Sequence, residues 1–346
     1  MSDSEVTRQG LRGTRPDREA LIGVAAGRDG EQPPGGDTEF TSYYGRPVIN
    51  SPVWESPDIP GYLFLGGLAG AASLLASGAD LTRRPELARV AKAGAFGGAA
   101  LSVAALVHDL GKPGRFLNML RVFKVTSPMS VGSWLLAGFT PLAGISTVSA
   151  WTGRAPRWGA TATAGAAALG PAVAAYTAAL VSDTAVPAWH DGYREMPFVF
   201  VGSGATAAGG LGLLAAPAAQ AAPARNMATF GVATELTSGQ WMEHRLGMVA
   251  EPYSSGRSGR YMRAGKVLSV VGLAGALLGR GNRLVNALSG ATLLAASAAT
   301  RWGVFHAGTA SADDPKYTVV PQRERLRRGE QARSGDAHTA PPDRTH

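Results

Sequence analysis

Eight apolar stretches, each close to the length that crosses a bilayer, constrain this chain more than any other feature. They run over about 61–79, 90–107, 131–151, 160–182, 196–222, 226–244, 264–279 and 284–306. A helix rises 1.5 Å per residue, so about 20 apolar residues cover ~30 Å of hydrocarbon. Lipid offers the backbone no hydrogen-bond partners, which leaves helices as the form such runs can take. The expected fold is therefore an all-α integral membrane protein, a bundle of about eight transmembrane helices. An even count puts both termini on one side. Mean hydropathy is only +0.01 because polar ends dilute the apolar middle. Much of the unusually high glycine content, 46 residues, falls inside the runs, where small side chains let membrane helices approach closely.

Residues 1–45 carry Arg, Asp, Glu, Gly and Pro with little apolar periodicity and read as a disordered polar tail. They show neither a signal-peptide core nor a twin-arginine pair. The membrane domain is expected over 46–317, and 318–346 reads as a disordered basic tail. Tyr43, Tyr44 and Trp54 suit the headgroup level. The chain has no cysteine, which removes disulfides, zinc thiolate sites and iron–sulfur clusters of its own. No metal site is expected. A formal charge of +8 raises nucleic acid as a partner, but the basic residues are scattered over loop ends and nucleic acid is not expected.

The polar features are unevenly placed. With the termini's face called side A, they gather there. His108-Asp109 ends the second run, and the proline-broken loop Leu110-Gly111-Lys112-Pro113-Gly114-Arg115-Phe116 leads on to Ser127-Pro128-Met129-Ser130-Val131-Gly132-Ser133-Trp134. The loop from Asp183 to Glu195, the end of the sixth run at Glu243-His244-Arg245, and the stretch from Arg301 to Pro315 fall on the same face. Side-B connectors are short and plain. That asymmetry suits a surface that docks a partner and admits an amphipathic substrate. Basic residues are more numerous on side A, which is taken as cytoplasmic.

These strings resemble the signature of the NrfD/polysulfide-reductase type of membrane subunit. The match includes the 108–116 and 127–134 strings, Tyr176 to Ser182 with Val186-Pro187-Ala188-Trp189, Met196 to Ser203, and Phe305 to Asp313 with Pro315, and runs from about Tyr62 to Tyr317. The resemblance implies a quinone-interacting anchor in the cell membrane, passing electrons between menaquinone or another quinone and a partner. Its partners would be an iron–sulfur (ferredoxin-like) subunit and a molybdopterin catalytic subunit. The iron–sulfur clusters and molybdopterin would belong to those chains, so this one would not itself hold the catalytic centre.

Quinone chemistry moves two electrons and two protons and needs hydrogen bonds to carbonyl oxygens with a proton route. Tyr176, His108, Asp109 and Glu235 are the candidates for that work. Tyr62, Lys112, Arg115, Ser130, Trp134 and Tyr176 are the candidates for holding the quinone. Each has a plainer reading beside it. Tyr176 also suits a bond to a neighbouring helix, and His108 the negative end of its own helix. Asp109 fits either orienting that imidazole or simple solvation, Lys112 and Arg115 suit headgroups, and Glu235 either a proton path or an interhelical bond. Two rival functions stay open at this stage, a secondary transporter built on broken helices and Glu235, and a purely structural anchor.

Overall fold

The computed structural model describes residues 5–7, 10–12, 49, 52, 54, 56–109, 114–324 and 326, with the backbone alone at 5–7, 10–12 and 115–117. It divides into two units, Met1–Arg46 and Pro47–His346. In the first, Glu5–Thr7 pairs antiparallel with Gly10–Arg12. The rest of the tail expected over 1–45 lies outside the described residues.

The second unit is helical. Its long helices are α1 (Asp58–Leu81), α2 (Pro85–Asp109), α4 (Pro128–Thr152), α5 (Pro156–Ser182), α7 (Met196–Ala215), α8 (Ala222–Leu246), α10 (Gly256–Leu278) and α11 (Arg283–Asp313). Short α3 (Gly114–Met119), α6 (Pro187–His190) and α9 (Glu251–Ser254) sit in the side-A connectors. All eight expected runs are helices, but six are long and apolar enough to cross a membrane: α1, α2, α4, α5, α7 and α10. The other two, α8 and α11, carry Arg225, Glu235, Glu243 and Arg245, and Arg283, Asn286 and Arg301, respectively. Composition alone therefore supports six crossings rather than the expected eight. Residues 316–324 continue as helix, because the Asp314 side chain accepts the Lys316 N–H at 3.0 Å and Lys316 reaches Glu251 at 3.0 Å.

Local chemistry sets the helix ends. Ser127 caps α4 by accepting the Ser130 N–H, with Pro128 at the first helical position, where a missing donor costs nothing. Gly153 ends α4 in the left-handed region, at φ 68°. Asn282 caps α11 through the Leu284 and Val285 N–H groups. Caps also come from neighbours: the Gln220 side-chain oxygen accepts from Glu86 and Leu87 at the start of α2, and Arg283 donates to the last carbonyls of α7, Leu213 and Leu214. Each partner closes a donor or acceptor that its helix leaves open at the end.

Packing makes two groups of four helices. One holds α1, α2, α4 and α5, the other α7, α8, α10 and α11, and they meet where α1 packs against α7 and α11. The contacts are close because small residues line them. A methyl at Gly210 of α7 would stand 2.8 Å from the carbonyl oxygen of Gly290 on α11, and one at Gly204 2.7 Å from that of Gly67 on α1. Side A is tied by ion pairs. Arg245 grips Glu195 with Nε to Oε1 at 2.7 Å and Nη2 to Oε2 at 2.6 Å, and Lys266 meets Glu243 at 2.7 Å. The Arg245 hydrogen bond holds the Glu195 carboxyl below its ordinary range.

Two expectations follow. Gly210→Ala should lower the thermal midpoint of the detergent-purified protein by about 5 °C, the size of a 1–3 kcal/mol overpacking penalty. Gly78→Ala, where nothing lies within 4 Å of the added carbon, should leave it unchanged or slightly raised. Equal midpoints for the two variants would refute the close-contact reading. Glu195→Gln removes a pairing that stabilises above the ordinary carboxylate value of 4.5 and fades as pH falls through the lowered one. The gap to wild type, roughly 1 kcal/mol for such a pair, should be full at neutral pH and close in acid; a pH-independent gap would contradict it.

Candidate functional site

Four residues on three helices meet at the side-A end of the first group. Asp58 and Tyr62 lie one turn apart on the same face of α1. The Tyr62 hydroxyl is hydrogen-bonded to that of Tyr176 on α5, and the two rings meet edge to face with centroids 6.4 Å apart. At the last turn of α2, His108 Nδ1 is 2.7 Å from Asp58 Oδ2. The imidazole is 81% exposed and the carboxylate 23%, so this pair touches water while both phenols are buried. By helix rise, Tyr62 lies about 6 Å and Tyr176 about 9 Å in from the side-A ends of their helices. The order from water inward is imidazole, carboxylate, phenol, phenol.

The sequence builds this pocket with small residues. Gly132 of α4 faces the Tyr176 ring so closely that any side chain there would overlap it. Ser102 of α2 donates to the Tyr62 carbonyl at 3.2 Å, fixing that turn of α1. Two buried hydroxyls on α5, Thr177 Oγ1 and Ser182 Oγ, have no hydrogen-bond partner among the described residues. Toward side B, the same four helices enclose a cavity of about 10 Å³, enough for one water, lined by Ser73, Lys92, Ser146 and Thr163 among others. Lys92 there pairs with Asp80 at 2.8 Å.

Beside the phenols, α6 is pinned across the side-A end of α11. Trp189 is fully buried, and its Nε1 donates to the Val304 carbonyl at 2.8 Å. Its ring fills the space left by Gly308, stacks on Trp54 at 5.5 Å and meets Phe305 at 6.1 Å. The Ala188 N–H donates to Ser311 Oγ, and the Tyr253 hydroxyl donates to the Ala188 carbonyl. Burial pushes the Tyr253 phenol far above its ordinary range, with the Glu243 charge adding to the rise, so it stays a hydrogen-bond donor. The described residues of 108–134, with 182–195 and 304–315, thus lie toward one end of the bundle.

Of the residues expected from the sequence, the structure brings Tyr62, Tyr176 and His108 into one group. Asp109 is the last residue of α2, beside His108, whose Nδ1 is met by Asp58. The Ser130 hydroxyl is engaged by the backbone, accepting from Lys124 N and donating to the Val122 carbonyl. Trp134 is 43% exposed and meets Phe123 edge to face at 6.2 Å. Lys112 and the Arg115 side chain lie outside the described residues. Glu235 sits elsewhere, about 17 Å in from the side-A end of α8, accepting from Thr300 at 2.6 Å and from Thr206 at 3.4 Å. Sequence reasoning missed Asp58, which precedes the first apolar run in a proline-rich stretch; its spacing of four from Tyr62 was the available signal. It also placed Arg301 on the rim, whereas that side chain is fully buried.

No curated protein matches the chain. The family model described as polysulphide reductase, NrfD, matches residues 48–234, more than half of the sequence and the whole of the phenol–imidazole group. The chain belongs to the NrfD polysulphide reductase family of membrane subunits of quinone-linked oxidoreductases.

Proposed function

We propose that this chain binds a quinone, menaquinone or a relative, at the Tyr62–Tyr176 pair, and exchanges electrons with an iron–sulfur subunit docked on side A, which in turn serves a molybdopterin subunit. In this reading the protein lies in the plasma membrane with all eight long helices crossing it. The observation that carries the proposal is the buried phenol pair next to a water-facing imidazole and carboxylate.

The residues fit such a guest. Two hydroxyls that share one hydrogen bond still hold one O–H to donate, and the partnerless Thr177 hydroxyl supplies another donor in the same helix turn. A bound quinone would supply reversible two-electron, two-proton carbonyl chemistry. The protein's part is to position and to move protons. Tyr62 holds the Tyr176 phenol in place, and Tyr176 offers its O–H toward a carbonyl oxygen. Asp58 orients the imidazole of His108, which exchanges protons with water near neutral pH. Gly132 lets the Tyr176 ring pack directly against α4 and so fixes its position. Pinned α6 and the side-A ion pairs make a rigid rim for a partner's metal cluster.

Tyr176→Phe and Tyr62→Phe keep the ring packing and remove one hydroxyl each. Both should lower quinone-linked turnover of the assembled complex about tenfold or more, with the complex still recovered from membranes. His108→Ala should slow turnover as well, with a shifted pH profile. Normal turnover in Tyr176→Phe and His108→Ala together would remove this site. Co-purification tests the wider reading: an iron–sulfur protein with extractable quinone supports it, a partner without quinone leaves a structural anchor, and neither points to a transporter.

A further inference from the structure

The face of α10 turned away from the bundle carries charges that the described part of the fold leaves unanswered. Its inner face packs on α11: a methyl at Gly265 would stand 2.7 Å from Thr300 Oγ1, and one at Gly272 2.8 Å from the Leu293 side chain. At about 100° per residue, the outer arc holds Arg257, Arg260 and Arg263 toward side A, then Val267, Val270, Val271 and Leu278. All of these are exposed, Val267 by 60% and Leu278 by 88%.

Among the described residues, none of the three arginines has an acidic partner. Arg257 lies 5.8 Å from the centroid of the Tyr261 ring. The glutamates at this end of the second group are already engaged, Glu195 by Arg245, Glu243 by Lys266 and Glu251 by Lys316. Like charges three residues apart on a helix repel one another, so an anion from outside the chain would relieve the row. Depth says which anion. By helix rise the row covers about 9 Å, and a bilayer of ~40–45 Å around ~30 Å of hydrocarbon leaves ~5–8 Å of headgroups in each leaflet. Long arginine stems make up the difference by reaching toward the interface. Beyond the row the same arc stays apolar as far as Leu278, and Arg280 follows about 26 Å from Arg263. The strip thus runs from phosphate depth through hydrocarbon to the opposite headgroups. A protein docked on side A would meet helix ends and connectors, whereas acyl chains cover valines on the flank of a membrane helix.

We propose that the outer face of α10 is a binding site for an anionic phospholipid, with the phosphate held by Arg257, Arg260 and Arg263 and the acyl chains lying along Val267, Val270 and Val271. Guanidinium forks match phosphate oxygens. A zwitterionic headgroup brings its own ammonium, which offsets the attraction, so the site selects for net negative charge. It stands apart from the phenols of α1 and α5, and its test involves no quinone.

The chain has no cysteine, so Val267→Cys in the full-length protein takes a single bimane label. In vesicles of mixed phosphatidylcholine and phosphatidylglycerol, quenching by the brominated form of each lipid reads which one occupies that face. A basic side chain near a membrane surface is worth about fivefold in preference for anionic lipid. Phosphatidylglycerol is therefore expected to be preferred about tenfold or more at Val267→Cys. Adding Arg257→Gln, Arg260→Gln and Arg263→Gln together should bring the ratio to within about twofold of one. The same label on Ile145→Cys, an exposed position of α4, should show no such preference. A ratio near one at Val267→Cys, a ratio unchanged by the three substitutions, or an equal ratio at Ile145→Cys overturns the site. A triple variant that loses a co-purified protein subunit but keeps the lipid ratio marks the row as a protein interface and also overturns it. If the triple variant does not accumulate, Arg260→Gln alone is expected to lower the ratio about fivefold, and an unchanged ratio there overturns the proposal.

Discussion

Lipid cannot hydrogen-bond, and the rest of this structure follows from that constraint. Each backbone group in the long runs is closed by a helix, and each polar side chain within them has to find its partner in the protein. The hydrophobic effect gives apolar helices no reason to adhere in lipid, so close packing must hold them together. The glycine contacts between α1 and α7, and between α7 and α11, bring backbones near enough for that. At the helix ends, side chains of neighbouring elements take over the caps, as Gln220 does for α2 and Arg283 for α7.

The same constraint sorts the polar residues by depth. Near side A, where water is close, the group runs from the exposed His108–Asp58 pair to two buried phenols. At mid-depth, water is out of reach and the polar residues meet one another: Glu235 with Thr300 and Thr206, Ser203 with Ser297. Helix α1 stands between the two sets and serves both. Its Tyr62 face looks toward α2 and α5, and its Gly67 face admits the guanidinium of Arg301.

Much of the fold was legible because hydropathy and helix length act locally. The eight runs, the short plain connectors of side B and the crowded loops of side A could be read directly. The helix ends were less legible. Helix α10 starts at Gly256, eight residues before its apolar run, because Arg257, Arg260 and Arg263 are tolerated at its side-A end. The site was legible in part. Tyr176 and His108 stood out by position and chemistry, and Tyr62 by its place at the head of the first run. Asp58 did not, because its role depends on a helix 50 residues away. Ser130 looked like a binding hydroxyl but is spent on the backbone of the preceding loop.

The sequence by itself determined that this chain enters a membrane as helices, with its reactive side chains biased to one end, since both follow from the local run of apolar and polar residues. Only the tertiary structure decided which polar groups meet. It set Tyr62 against Tyr176 and His108 against Asp58, and it moved Arg301 from an apparent rim residue to the interior of the bundle, against Phe200 of α7. Those pairings join residues 50 or more positions apart, and helix packing, which has no local sequence code, brings them together.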